Sequence, residues 1–127
     1  MSTFFPVLRY RDAHGAIDFL ERAFGFERKA VHEGDDGTVA HAELGFDGDV
    51  VMLGSARESE WSQHAPPPGS GAVYVVVRND IDAHHDRAKA AGAEIVYGLR
   101  DQDYGSRDYS ARDPEGNLWS FGTYAPA

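Results

Sequence analysis

Six histidines, twenty-one acidic residues and no cysteine set the chemistry open to this 127-residue chain. The most concentrated pair is His41 and Glu43. They stand two apart in Thr38–Phe46, a run that reads as a strand, and therefore share a face. An imidazole beside a carboxylate is the minimum needed to pass a proton near neutral pH. No third ligand stands at a useful spacing, and a catalytic ion needs about three protein ligands. His84 and His85 are adjacent on a helical pattern and point about 100° apart, which reads as a solvated helix face. His14 falls in a first helical turn and His64 in a proline-rich segment. Arg107 and Tyr109 share a face of the run Ser106–Arg112. An arginine there suits a two-pronged grip on a carboxylate or phosphonate, or a structural ion pair with Glu43 or Asp108. No serine sits in a Gly-x-Ser-x-Gly elbow, and no glycine-rich phosphate loop is present.

The elements that position these residues come in two similar sets. Asp12 can cap a helix in which Ala16, Phe19, Leu20, Ala23 and Phe24 recur at helical spacing, with Gly25 as its stop. A weaker helix runs from about Asp80 to Ala91 and ends at Gly92. Strand-like runs precede and follow each helix. Phe4–Tyr10 comes before the first, and Phe26–Glu33, Thr38–Phe46 and Asp49–Gly54 come after it. Ala72–Arg78 precedes the second, and Glu94–Leu99, Ser106–Arg112 and Asn117–Tyr124 follow it. The turns at Gly34-Asp35-Asp36-Gly37 and Asp47-Gly48 have hairpin chemistry, and in the turn Asp113-Pro114-Glu115-Gly116 proline presets φ and glycine supplies a positive φ. Arg11, Ala23, Gly25 and Glu27 recur as Arg78, Ala90, Gly92 and Glu94 at an offset of 67. The expected fold is α+β: two βαβββ modules, 1–54 and 71–127, joined by a proline-rich linker, 55–70. A half this small buries too little apolar surface to stand alone, so the halves must pack together or on a second chain.

Composition narrows the function classes. A formal charge of −9 argues against a nucleic-acid partner, whose phosphates demand a basic face. No apolar run approaches the length of a membrane span. The start, MSTFFPVLRYRD, lacks a basic segment followed by an apolar one, so no signal peptide is expected. The absence of cysteine excludes disulfides and thiolate chemistry and fits a cytoplasmic location.

The stretch from Tyr10 to Phe26, the segment His41-Ala-Glu-Leu44 and the closing Asp113-Pro-Glu-Gly-Asn-Leu-Trp119, together with the duplication, resemble the vicinal oxygen chelate superfamily. That superfamily holds glyoxalase I, extradiol dioxygenases, and fosfomycin- and bleomycin-resistance proteins. The resemblance implies sheets curled around a cleft, usually in a homodimer. Its enzymes carry a His, Gln or Glu ligand on the first and fourth strands of each module. The matching positions here are Phe5, Met52, Ala72 and Ser120. None suits a hard divalent ion, so no metal and no other cofactor is expected.

Since those positions face the cleft in the family, strand parity adds Arg9 and Tyr74 to Phe5, Met52 and Ser120. The pocket is expected to include His41 and Glu43, with Arg107 and Tyr109 assigned to the same face; a substrate-contacting arginine of fosfomycin-resistance proteins resembles Arg107 in place. Trp61 is read as a lid over the mouth or a dimer contact, and Trp119 as structural. The expected function is binding of a small aromatic or antibiotic-like molecule without metal and without turnover, as in bleomycin-resistance proteins. The alternative is a lyase, isomerase or transferase using His41 and Glu43 as an acid–base pair, or a relocated metal.

Overall fold

The computed structural model describes residues 2–127, and its elements follow from local signals. β1 (Val7–Tyr10) starts after Pro6, which has no amide proton to give a strand ladder, so Phe5 precedes the strand. The Asp12 carboxylate accepts the Gly15 amide at 3.0 Å and caps α1 (Ala13–Phe24). Ala16, Ile17, Phe19, Leu20, Ala23 and Phe24 are all buried on the inner side of α1. The helix stops at Gly25, whose φ of 75° is left-handed. β2 (Glu27–Glu33), β3 (Val39–Phe46) and β4 (Asp49–Ser55) complete the first module. Asp47 and Gly48, both at positive φ, form the tight turn between β3 and β4.

A linker with one short 3-10 turn at Trp61–Gln63 leads to β5 (Ala72–Val76). The second module continues with α2 (Ile81–Ala90), β6 (Glu94–Asp101), β7 (Arg107–Arg112) and β8 (Leu118–Gly122). Asp80 caps α2 by accepting the Ala83 amide at 3.0 Å. β6 runs two residues past the expected Leu99.

Each module forms its own four-stranded sheet, ordered β1-β4-β3-β2 and β5-β8-β7-β6. The first pair in each is parallel and the others are antiparallel. Register fixes which side chains share a face. Val7, Met52, Glu43 and Ala30 lie side by side across the first sheet. Tyr74, Ser120, Ser110 and Tyr97 form the equivalent row of the second.

The opposite faces build one shared core. The Phe24 ring lies 5.7 Å from Trp119 and 4.7 Å from Phe121, and Phe26 lies 5.4 Å from Trp119. Each large apolar side chain buried there contributes about 1.5–3 kcal/mol. A polar clamp also joins the modules. The buried Asp113 carboxylate accepts the Tyr10 hydroxyl at 2.6 Å, the Trp119 indole N–H at 3.0 Å and the Asn117 side-chain amide at 3.1 Å. Burial and the neighbouring Asp113 charge push the Tyr10 hydroxyl pKa well up, so it stays a proton donor. Arg87 of α2 donates to the Glu21 and Arg22 carbonyls at the end of α1. Among the described residues, no helix is long and apolar enough to cross a membrane.

Candidate ligand site

With the core between them, the sheets turn two open faces away from it. The first carries Val7, Arg9, Met52, His41 and Glu43. His41 Nε2 lies 2.9 Å from a Glu43 carboxylate oxygen, and the His41 ring stacks on His32 at 6.3 Å. The pair is about 40% exposed, so its attraction is screened and adds little stability, yet it stays open to a ligand. Among the described residues, nothing beyond Glu43 bonds the imidazole, and no orienting third group of the kind a triad has stands there.

The second open face carries Tyr74 and Ser120. The Ser120 and Ser110 hydroxyls are 2.8 Å apart. The Tyr74 hydroxyl donates to the Tyr124 carbonyl at 2.7 Å, and partial burial raises its pKa. Tyr74 and Phe5 are 42% and 43% exposed, available as stacking surfaces.

Two residues expected in the cleft are elsewhere. Tyr109 is buried on the core face, stacked on Phe121 at 5.2 Å. The cause is register: Ser110 lies beside Ser120, so Tyr109 must lie beside Phe121 on the opposite side. Arg107 has the same parity as Tyr109. Its guanidinium donates to Asp82 of α2 at 2.8 Å and to Asp101 of β6 at 3.3 Å, not to Glu43 or Asp108. Those carboxylates hold Arg107 firmly protonated and take three of its five N–H donors.

The adjacent histidines of α2 are not a solvated face. His84 is half-buried. Its Nε2 donates to the Phe24 carbonyl at 2.9 Å, which leaves Nδ1 to accept the Tyr109 hydroxyl at 2.6 Å. Burial lowers the His84 pKa below its ordinary value and raises that of Tyr109. His85 packs edge-on against the Tyr109 ring, 5.0 Å between centroids. A signal for His84 was present: with Ile81 and Ala88 it forms a stripe spaced by three and four, and Ile81 and Ala88 are the two buried residues of α2.

Arg9 and Trp61 meet at one end of the first open face. The Arg9 guanidinium lies 4.7 Å from the Trp61 ring centroid, and the two border a cavity of about 540 Å³ beneath the linker. Gly54 lies beside Arg9 across the sheet, and a side chain at that glycine would collide with the guanidinium. Arg9 and Trp61 are among the residues expected at the site from sequence; Gly54 is not, since only the pairing of β1 with β4 sets it beside Arg9.

The positions that resemble metal-ligand sites hold an aromatic ring, a thioether, a methyl and a hydroxyl. Met52 stands beside Glu43 and Ser120 beside Ser110. This donor set does not fit a hard divalent ion. Among the described residues, no three histidine or acidic side chains converge to hold one.

Known proteins place this architecture. A chain from Micromonospora sp. ML1, TioX, is 37% identical and superposes with a TM-score of 0.84, covering 98% of this chain and 100% of that one. A Salmonella typhimurium virulence protein is 25% identical, with a TM-score of 0.73 and 98% coverage of both chains. An uncharacterized Mycobacterium bovis protein, Mb0911c, is 36% identical over 121 residues, spanning 92% of this chain and 80% of the relative. A family model described as the Glyoxalase/Bleomycin resistance protein/Dioxygenase superfamily matches residues 4–121. The chain belongs to the glyoxalase/bleomycin resistance protein/dioxygenase superfamily.

Proposed function

We propose that the protein binds a small aromatic, antibiotic-like molecule and sequesters it without converting it. The observation that carries this reading is the pairing of two features on the same open faces. Phe5, Met52, Ala72 and Ser120 occupy the positions that resemble metal-ligand sites; Tyr74 stands beside Ser120 and Glu43 beside Met52, with Arg9 and His41 on the same face as Met52. A surface that sets aromatic rings and a thioether beside a few polar groups suits recognition of a small organic molecule. A second copy of the chain covers the open faces and completes the cleft, so the working form is a homodimer. The absence of cysteine supports a cytoplasmic setting.

The 2.9 Å contact between His41 and Glu43 favours a second reading, a metal-free enzyme with that pair as acid and base. A thermal-shift screen of aromatic and heteroaromatic compounds tests the first. Binders that raise Tm, with light scattering giving the mass of two chains, support it. No binder of any chemistry, or a monomer at every concentration, contradicts it.

A further inference from the structure

Arg9, like Arg100 against Tyr97, lies on an aromatic ring rather than a carboxylate, and of the two only Arg9 borders a cavity. Arg28, Arg78 and Arg107 each hold a carboxylate. Arg9 has no hydrogen bond or ion pair among the described residues; its contact is the face of Trp61. Stacking uses the flat face of a guanidinium and leaves the N–H donors around its rim unspent. Those donors border the cavity of about 540 Å³. The charged residues lining it are Arg9, Arg57 and Glu58, a net positive wall in a protein of charge −9. Ala40, Ala65 and Pro66 supply apolar wall, and Trp61 is 49% exposed over it. Gly54 leaves room for the guanidinium in this position, and a Cβ there would push it aside.

We propose that this cavity binds the carboxylate of an aromatic small molecule. Arg9 holds both carboxylate oxygens through a pair of rim N–H donors, and Trp61, carried on the linker, closes over the ring. The proposal rests on the ligand-binding reading above and adds the charge of the ligand and the place of its anchor. It also moves the anion grip from Arg107, three of whose donors Asp82 and Asp101 take up, to Arg9.

The test uses 2-naphthoate and its uncharged counterpart 2-naphthamide, titrated by calorimetry into the 127-residue chain. The wild type is expected to prefer the carboxylate by about tenfold or more, the scale of a charged hydrogen bond. Arg9→Gln brings the two probes to similar affinity, while Arg107→Gln keeps the preference. Gly54→Ala, which displaces the guanidinium without removing it, weakens the carboxylate alone. Trp61→Ala weakens both probes and Trp61→Phe restores them in part. Circular-dichroism melts confirm that each variant is folded. Equal binding of the two probes by the wild type, or a preference that survives Arg9→Gln, overturns the anion site and leaves the ligand-binding reading standing. If neither probe binds while other aromatic compounds do, the anion site falls alone. If no compound binds, both fall.

Discussion

The two modules share strand order and register but use their open faces differently. Across the first sheet the central row is Val7, Met52, Glu43 and Ala30, with His41 bonded to Glu43. Across the second it is Tyr74, Ser120, Ser110 and Tyr97, a row of hydroxyls and aromatic rings. Their arginines diverge too: Arg9 stacks on Trp61, while Arg107 is bound by Asp82 and Asp101. The helices differ in the same way. α1 buries seven residues in the core, whereas α2 buries two and contributes chiefly polar joints, His84 and Arg87, that fasten it to the end of α1. The lesson is a division of labour. The duplicated scaffold keeps its strand order and register and leaves its helices and its outer faces free to differ.

That contrast can be broken most severely where the modules are clamped. Asp113→Ala strands the buried Tyr10 hydroxyl and the Trp119 indole N–H. Each unsatisfied donor costs about 1–3 kcal/mol, so a loss of about 3–4 kcal/mol is expected in urea unfolding. The arginine contrast comes next. Arg9→Gln lowers affinity for an aromatic carboxylate about tenfold, and Arg107→Gln changes it less than about twofold, by calorimetry. Arg87→Gln removes charged donors from two exposed carbonyls of α1 and is expected to cost about 1 kcal/mol in the same urea assay.

The smallest effect is a pH dependence at His84. Burial lowers its folded pKa below 6.5, the ordinary value that it keeps when unfolded. The unfolded chain therefore binds the extra proton first. The stabilising contribution is complete above pH 6.5 and is lost as pH falls from there toward the folded pKa. His84→Gln flattens this part of the profile, seen by comparing urea midpoints of the variant and the wild type between pH 7.5 and 5.5.

The Asp12 cap and Gly25 stop of α1, the Asp47-Gly48 hairpin and the duplication were legible in the sequence. Asp12 and Gly25 act within a few residues of themselves, and Asp80, expected only as the start of the second helix, caps it in the same way. The face of β7 was not legible. Arg107, Tyr109 and Ala111 alternate with Asp108, Ser110 and Arg112, and neither set is decisively apolar. Only the pairing of Ser110 with Ser120 settles the matter, a contact between strands. Asp113 reads as a turn residue and is one, with its carboxylate accepting the Glu115 and Asn117 amides. Its second task, binding Tyr10 across the modules, depends on long-range packing. The face of Arg9 was legible by parity. Its stacked position depends on Gly54 beneath it and on the path of the linker, which hydrophobic periodicity does not encode.

The central claim, that the cleft holds its ligand without turning it over, is tested most directly by incubating the tightest binder from the thermal-shift screen with stoichiometric protein. Mass spectrometry then quantifies the compound recovered after denaturation. The account predicts full recovery of unchanged ligand from the wild type and from His41→Ala and Glu43→Ala alike. Conversion by the wild type that collapses in those two variants would contradict it and establish the His41–Glu43 pair as catalytic.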